Sequence, residues 1–437
     1  MNEVVFSGLT VCIFALVSLL LCVFIGEKLK VNMGIIALIF ASILGVFVFK
    51  MRSSAIYTFW PISITLQVIV VTFFYGFANK TGTVKYMADW AIYASRLSPA
   101  LLPLVFYVLD FFLMAIGLHP AAVMILLLPV FIQISYDSKR SEMLFLIGHC
   151  LASDAGGLSP IGMTGIIGRG LIEMFGFEGQ GNAIIGRVWI TLIIVCTLLF
   201  LVAYFVFGGY KMKVEGEVKK PAPATPLIKK NLILIAICVL AFLIPTLLAL
   251  VFPKVPFFAT LGQKIDVLLV YSVGIVLALL LKLGDQREIL KECVPWHSVL
   301  LVGGCATLIA VCSSMGMGDY LSGLITNISN VTLIAPVLAL LAGLVSLVSD
   351  STGVVYPLFF PVVAGVVAAT GYQPSKLFAC IMLGALLAGI APTSSGGSME
   401  LSFIAPERRD KVFLYQWATA FIMIFVFALL SLTPLVG

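Results

Sequence analysis

Charged residues are scarce in this chain of 437 residues, where Asp, Glu, Lys and Arg together make up 11% of the sequence. A soluble domain is typically about one quarter charged and about half apolar, whereas 61% of this sequence is hydrophobic. Mean hydropathy is +1.16, and too few polar side chains are present to cover a surface in water. The composition therefore argues against a water-soluble protein and predicts an all-α polytopic membrane protein.

Several chemical signatures are also missing. The nine cysteines form no CxxC pair and no Cys/His cluster with zinc spacing. There is no Walker motif, no HExxH and no GxSxG with a histidine partner. We therefore expect no enzyme, no cofactor and no nucleic-acid partner, and a driving force from an ion gradient or from exchange. An integral-membrane enzyme and a purely structural role are the less favoured alternatives.

Long apolar runs predict the membrane-spanning helices, because a helix needs about 20 residues to cross a bilayer. The clear candidates are residues 5–26, 31–50, 62–79, 185–209, 230–252, 265–283, 296–313 and 413–435. Two more regions, 99–135 and 331–370, are each interrupted by a short polar segment. We call "GLHP" (117–120) the first tip and "SDSTG" (349–353) the second tip. Each is expected to be the turn of a re-entrant hairpin, and the alternative is an ordinary turn outside the membrane.

Two other apolar regions, 141–170 and 377–403, are cut by segments rich in Gly, Pro, Ser and Thr. We call residues 156–165 the first break and residues 388–397 the second break. Backbone that is not helical is tolerated at membrane depth only where it packs in protein or lines a polar cavity. The breaks are therefore the expected substrate site.

An internal repeat relates the two breaks. A shift of 232 residues places Pro129 on Pro361, Gly157 on Gly389, Pro160 on Pro392 and Gly165 on Gly397. The basic, Pro-rich segment 211–230 lies near the middle of the chain. The sequence therefore predicts a first repeat over 1–210, a cytoplasmic linker over 211–230 and a second repeat over 231–437.

The predicted orientation follows from the count of spans and from the distribution of basic residues. Each repeat is expected to cross the membrane about five times and to contain a re-entrant hairpin and a broken helix. Because five is odd, the second repeat is inverted relative to the first. A cytoplasmic linker puts the N-terminus outside and most of the 26 Lys and Arg residues inside, as the positive-inside rule requires. The expected location is the cell (inner) membrane.

An unwound helix can bind a small anion without Lys or Arg. The N-terminal end of a half-helix carries free N–H groups and a positive partial charge. The alternative is that Gly, Ser and Thr only permit close helix packing. The substrate-binding candidates are His119, Gly157, Ser159, Pro160, Thr164, Ser351, Thr352, Pro392, Thr393, Ser394, Ser395 and Gly396.

Acidic residues at membrane depth are candidates for ion coupling. Asp154, Asp350 and Ser349 are the coupling candidates, with a possible Na⁺ near Asp154 and Asp350. A carboxylate there can either bind sodium or carry a proton, and for Asp154 a structural hydrogen bond is a further alternative. Asp110 and His149 are weaker candidates, and His149 fits a packing role better.

The stretch "AIGLHPAAVMILLLPVFIQIS…FLIGHCLASDAGGLSPIGMTGIIG" resembles the N-terminal half of the MatC-type malonate/dicarboxylate carriers. "VNMGIIALIFASILG" (31–45) is similar to the opening segment of that family. The close resemblance covers roughly residues 30–210. The architecture is also similar to the wider ion-transporter superfamily, which includes the divalent anion:sodium symporters.

The resemblance implies an elevator-type secondary transporter for a small carboxylate, with two re-entrant hairpins and a homodimeric assembly in the lipid bilayer. In the sodium symporters the hairpin tips read Ser-Asn-Thr and contact substrate and sodium. The second tip matches this pattern partly, with Ser349, Asp350, Ser351 and Thr352, and the first tip does not match it. The coupling ion is therefore either Na⁺ or H⁺, and a cation/proton antiporter is the alternative function.

Overall fold

The computed structural model describes residues 6–94, 98–212, 220–251, 255, 257, 260, 264–328 and 330–436. Over these residues the regular structure is helical throughout. Residues 5, 213–219 and 252, which fall in the predicted spans and linker, lie outside the described residues. Within the described ranges, nine helical segments are long and apolar enough to cross a membrane.

Ten helices precede the linker. They are α1 (Gly8–Leu29), α2 (Met33–Ser42), α3 (Ser53–Thr58), α4 (Ile62–Lys80), α5 (Thr83–Ala94), α6 (Leu102–Ala115), α7 (Pro120–Asp137), α8 (Met143–Gly157), α9 (Met163–Met174) and α10 (Gly181–Val206). A π-helical turn, Ile43–Val48, continues α2. Short 3₁₀ turns at Pro99–Leu101 and Gly209–Lys211 flank this series.

Ten more helices follow the linker. They are α11 (Pro226–Val251), α12 (Val267–Leu280), α13 (Gln286–Glu292), α14 (Trp296–Ser313), α15 (Met317–Thr326), α16 (Ile334–Ser346), α17 (Tyr356–Thr370), α18 (Pro374–Leu387), α19 (Ser395–Ser402) and α20 (Pro406–Leu430). A π-helical turn, Ser351–Val355, precedes α17, and 3₁₀ turns precede α16 (Val331–Leu333) and follow α18 (Ala388–Ile390).

Polar caps explain where several apolar helices begin. The side chains of Ser7, Asn32, Asp266 and Asp285 each accept a hydrogen bond from a backbone N–H in the first turn of α1, α2, α12 and α13. Such caps satisfy donors that have no partner inside the helix. Helix ends are therefore set by single polar residues where the apolar runs alone leave them open.

The chain divides into two compact units. Unit one comprises residues 1–65, 164–199 and 296–437, and it contains the second tip and the second break. Its helices α2 and α14 touch through their backbones, because a Cβ on Gly34 would overlap the carbonyl of Leu300 and one on Gly304 would overlap that of Gly34. Helix α16 packs on α18 and α20. The polar segments of unit one are thus held on closely packed helices.

Unit two comprises residues 66–163 and 200–295, and it contains the first tip and most of the first break. Helix α6 packs closely on α8, since a Cβ on Gly156 would overlap the carbonyl oxygen of Phe111. Helices α4 and α12 meet at the hydroxyls of Tyr75 and Tyr271, which are 3.1 Å apart. Compact packing and predicted repeats divide the chain differently, because each unit takes helices from both halves of the sequence.

The helix bounds agree with most of the predicted spans and differ at a few ends. The runs 62–79 and 296–313 match α4 and α14 closely. The last helix begins at Pro406 rather than at residue 413, because the charged segment that opens it is helical too. Helix α11 begins at Pro226, inside the predicted linker.

A shift of 232 residues also relates helices along the chain. It carries Leu102–Ala115 onto Ile334–Ser346, and it carries the start of α9 at Met163 onto the start of α19 at Ser395. These bounds agree with the repeat found in the sequence. The duplication and its inverted orientation stay predictions.

Candidate functional site

The second tip is organised by one carboxylate. Oδ1 of Asp350 accepts hydrogen bonds from the backbone N–H of Gly353, at 2.6 Å, and from the hydroxyl of Thr352, at 2.9 Å. Asp350 has extended backbone angles and caps the π-helical turn that leads into α17. An acidic cap satisfies free donors and faces the positive end of the helix. The local sequence Asp-Ser-Thr-Gly therefore ends one helix and starts the next.

Serine hydroxyls fix the flanks of the second tip. The hydroxyl of Ser351 lies 2.9 Å from that of Ser346, and it donates to the carbonyl of Ala385 on α18 at 3.0 Å. Ser349 is buried and donates to the carbonyl of Val345 at 2.7 Å. Both serine protons thus bond to protein, which leaves the serine oxygens as acceptors.

The second break is capped by Ser394. Its hydroxyl accepts the backbone N–H of Gly397 at 2.9 Å and donates to the carbonyl of Gly389. A Cβ at position 397 would overlap the carbonyl oxygen of Ala391, so only glycine fits the turn. The N-terminus of α19 is therefore fixed at this point of the break.

Donors at the start of α19 are left open. Within the described residues, the backbone N–H groups of Ser395 and Gly396 have no hydrogen-bond acceptor. The side chains of Thr393, Ser395 and Ser398 are exposed, and the hydroxyl of Ser398 donates to the carbonyl of Ser395 at 3.1 Å. Free N–H groups and hydroxyls at a helix N-terminus are the donors that a carboxylate accepts from.

The second tip and the second break are joined within unit one. The hydroxyl of Thr393 donates to the carbonyl of Leu347, the residue that ends α16 three positions before Asp350. Together with the bond from Ser351 to Ala385, this contact brings the tip and the break into one site. Of the predicted residues in this half, Ser351, Thr352 and Gly396 are half-buried, whereas Pro392 and Ser394 are buried.

Two buried polar residues beyond the second break were not anticipated from the sequence. Glu400 on α19 is 2% exposed and Gln416 on α20 is fully buried. Nε2 of Gln416 donates to the carbonyl of Gly397 at 3.0 Å and to Oε2 of Glu400 at 3.2 Å. Gln416 therefore supports the first turn of α19. An acid inside an apolar helix was the available signal for Glu400.

The first break uses the same kind of cap but hides it. The hydroxyl of Ser159 accepts the backbone N–H of Gly162 at 2.8 Å and donates to the carbonyl of Ala115 at the end of α6. Ser159 is 2% exposed. Gly157 is buried and Pro160 half-buried. The predicted binding role of Ser159 stays a prediction, and its observed contacts join α6 to the break.

The remaining predicted residues of the first half lie around this cap. His119 begins α7 and accepts the backbone N–H of Ala121 on Nδ1 at 3.2 Å. Thr164 is buried on α9. Asp154 is half-buried on the last turn of α8, where its Oδ2 accepts the thiol of Cys150 at 3.7 Å. None of these contacts identifies a bound ion, and a Na⁺ near Asp154 or Asp350 stays a prediction.

Asp110 and His149, the weaker candidates, lie together in unit two. Nδ1 of His149 is 2.6 Å from Oδ2 of Asp110, and the two side chains are 3% and 0% exposed. The two residues are far apart in sequence, so only the packing of α6 on α8 reveals the pair. Among the described residues, no three His, Cys, Asp or Glu side chains cluster as a metal site would require.

Comparison with known proteins agrees with this architecture. Residues 9–157 match the family model for the dicarboxylate carrier protein MatC N-terminus. The crystal structure of the Alcanivorax borkumensis YdaH transporter, described as having an unusual topology, is similar in fold with a TM-score of 0.53. The two chains are 13% identical, and the similarity covers 98% of this chain and 99% of that chain.

No sequence among the curated proteins matches the chain. The similarity to YdaH supports the fold, and the family match lies in the first half, where the sequence resemblance was found. With the nine apolar segments, these findings describe a multi-pass membrane protein of transporter type. The resemblance is confirmed: over residues 9–157 this chain is a member of the MatC dicarboxylate carrier family.

Proposed function

We propose that the chain is a secondary active transporter that moves a small organic anion across the membrane by ion-coupled symport or exchange. The proposed substrate is a dicarboxylate, such as malonate or a C4-dicarboxylate. The observation that carries the proposal is the start of α19, where the N–H groups of Ser395 and Gly396 have no acceptor in the described part of the chain and neighbouring hydroxyls are exposed.

The charge of this site argues for a coupled cation. Neither the second tip nor the second break contains Lys, Arg or His, and the second tip carries the carboxylate of Asp350. A dianion that leaves water for such a site gains only N–H groups, hydroxyls and the positive end of a helix. A cation that enters with the substrate offsets the remaining negative charge. We propose Asp350 and Ser349 as part of that cation site, with Asp154 as a further coupling residue.

Thr393, Ser395 and Gly396 are the residues that we propose to contact the substrate directly, with Ser394 and Gly397 holding the turn in shape. Ser351 and Thr352 would border the bound anion from the second tip. We propose the same role for His119, Ser159 and Thr164 in the first half on the basis of the predicted repeat. The elevator movement, the homodimer and the outside location of the N-terminus belong to the same proposal and are supported by family resemblance.

Uptake of labelled malonate into proteoliposomes tests the proposal. We expect uptake to depend on the protein and to increase when a sodium or proton gradient is imposed. Uptake by Ser395→Ala should fall, whereas Ser402→Ala removes an exposed serine from the same helix outside the break and should have no effect. Absence of flux or binding of any dicarboxylate would exclude the proposed function. Cation flux without any effect of carboxylates would favour the antiporter.

A further inference from the structure

The proposed transport function leaves one buried ionisable pair unused. Asp110 on α6 and His149 on α8 are in hydrogen-bond contact at 2.6 Å, and almost nothing of either side chain is exposed. Ionisable residues are expensive in an apolar interior and are retained there mainly for function. The pair therefore needs an explanation beyond the packing of two helices.

One oxygen of the pair is free to bind a proton. Within the described residues, Oδ1 of Asp110 is buried and has no hydrogen-bond partner. An ionised carboxylate oxygen without a donor is unfavourable in an apolar site, and a proton bound there removes the charge. The other oxygen, Oδ2, already contacts His149. The geometry separates a bonded oxygen from an open one on the same carboxylate.

The surroundings of the pair are largely apolar. Phe106, Phe131 and Phe145 from α6, α7 and α8 form a fully buried aromatic cluster in the same three-helix packing. The described buried faces of α5 and α7 carry no titratable side chain.

Four other titratable side chains lie on the helices around the pair. Tyr107 precedes Asp110 by one turn of α6 and stacks on Phe200 of α10. Tyr204 of α10 donates to the carbonyl of Ala100. Cys150 and, one turn further, Asp154 follow His149 on α8. No cationic side chain lies on the described buried faces of α5, α6, α7 or α8.

We propose that Asp110 and His149 together bind one exchangeable proton and that this proton is coupled to transport. In the deprotonated pair, neutral His149 donates its Nδ1 proton to the carboxylate of Asp110, and the pair carries one negative charge. An incoming proton binds Oδ1 of Asp110 or Nε2 of His149, and the pair becomes neutral. Release of that proton to water restores the first state, so protons and charges balance over the cycle.

The position of the pair connects the proton to the first break. Helices α6 and α8 are joined by the pair and again by the bond from Ser159 to the carbonyl of Ala115. Asp110 lies five residues before Ala115 on the same helix. A change of charge between α6 and α8 therefore acts on the two helices that position the first break. This coupling role rests on the proposed transport function, whereas proton binding by the pair does not.

Infrared titration of the purified chain without substrate tests proton binding directly. We expect a carboxylic-acid carbonyl band that disappears at high pH and is absent in Asp110→Asn. His149→Gln keeps Asp110 in place and should move the pH at which the band disappears. A band that neither variant changes, or no titrating carboxylic acid at all, would overturn the proposal and leave a fixed ion pair.

Proteoliposomes test the coupling with malonate as the probe. The ratio of proton-gradient-driven uptake to malonate exchange should fall at least about tenfold in Asp110→Asn, because the coupled proton site is lost. Tyr75→Phe is the matched control, since it removes another buried hydrogen bond of unit two and should leave the ratio as it is. An equal fall of both activities in Asp110→Asn would indicate a structural role. If the unmodified protein moves no dicarboxylate, the transport proposal fails and the infrared titration still decides whether the pair binds a proton.

Discussion

The first and second breaks each contain a serine whose hydroxyl accepts the backbone N–H three residues later, Ser159 from Gly162 and Ser394 from Gly397. Each break also sends a hydroxyl to the carbonyl that ends the first hairpin helix, from Ser159 to Ala115 and from Thr393 to Leu347. Ala115 and Leu347 are 232 residues apart. The two breaks therefore share a structural scheme that agrees with the repeat.

The breaks differ in what they leave exposed. In the first break one buried serine makes both contacts, and Thr164 is buried as well. In the second break these tasks fall to two residues, and Thr393 and Ser395 remain exposed. The same local scheme can therefore serve mainly as structure in one half and present ligand donors in the other. We expect changes in the first break to affect stability and changes in the second to affect binding.

The largest expected effect is on binding at the second break. The double variant Thr393→Val/Ser395→Ala removes two exposed hydroxyls from the start of α19. A hydrogen bond to a charged group contributes about 1.5–3 kcal/mol, so affinity for malonate should fall by at least about tenfold. Equilibrium binding of labelled malonate measures the loss, with Ser402→Ala as the control. Unchanged affinity would remove the second break from the site.

The counterpart in the first break is Ser159→Ala. This variant leaves the buried carbonyl of Ala115 and the N–H of Gly162 without the serine hydroxyl, which costs about 1–3 kcal/mol of stability for a buried polar group. Thermal unfolding in detergent should show a lower melting temperature, while malonate affinity changes less than in the double variant. A loss of affinity without a loss of stability would reverse the assignment of the two breaks.

The carboxylates of the two halves provide a third comparison. Asp350→Asn keeps a good helix cap but removes the charge from the second tip, and Asp154→Asn removes the charge beside the first break. We expect the dependence of malonate binding on sodium or pH to weaken more in Asp350→Asn, with little change in melting temperature. Binding assays in sodium and potassium buffers at several pH values measure this. An unaltered ion dependence in both variants would exclude these carboxylates from coupling.

The smallest expected effect is at an ion pair outside both breaks. Lys80 contacts Glu288 and Glu292 at 2.6 Å each, and the hydrogen bond from Lys80 lowers the pKa of Glu292. The lowered pKa means that the pair's contribution to stability is present above the ordinary pKa of a glutamate. That contribution is lost as pH falls through the lowered value.

Exposed pairs contribute little and are screened by salt. Glu292→Gln should therefore lower the melting temperature slightly at low salt and not at high salt, with malonate uptake unaffected. A large loss of uptake would extend the functional region beyond the breaks.

The sequence predicts much of the fold because long apolar runs translate directly into helices. Residues 62–79 and 296–313 agree with α4 and α14, where twenty apolar residues leave few alternatives. Residues 31–50 instead form the short α2 and a π-helical turn, since Asn32 caps the helix at its start. The start of α20 at Pro406 was missed because a charged helical turn outside an apolar run has no hydropathy signal.

The candidate site was predicted only in part. Gly, Pro, Ser and Thr in an apolar region indicated the two breaks, but they did not indicate which hydroxyls would be exposed. Ser159 and Ser395 have the same chemistry, and the packing around each decides its burial. The pairs of Asp110 with His149 and of Glu400 with Gln416 form between different helices. Such contacts depend on tertiary packing, which local patterns do not encode.

The central claim is that the second break binds a dicarboxylate through the start of α19, together with a cation. A thermal-shift measurement on purified protein, with malonate, succinate, citrate and acetate in sodium and in potassium buffers, tests it most directly. A ligand that binds the folded state raises the melting temperature with its concentration. We predict a shift with a dicarboxylate that depends on the cation or on pH and is lost in Thr393→Val/Ser395→Ala but kept in Ser402→Ala. No shift with any dicarboxylate, or an equal shift in the double variant, would contradict the account.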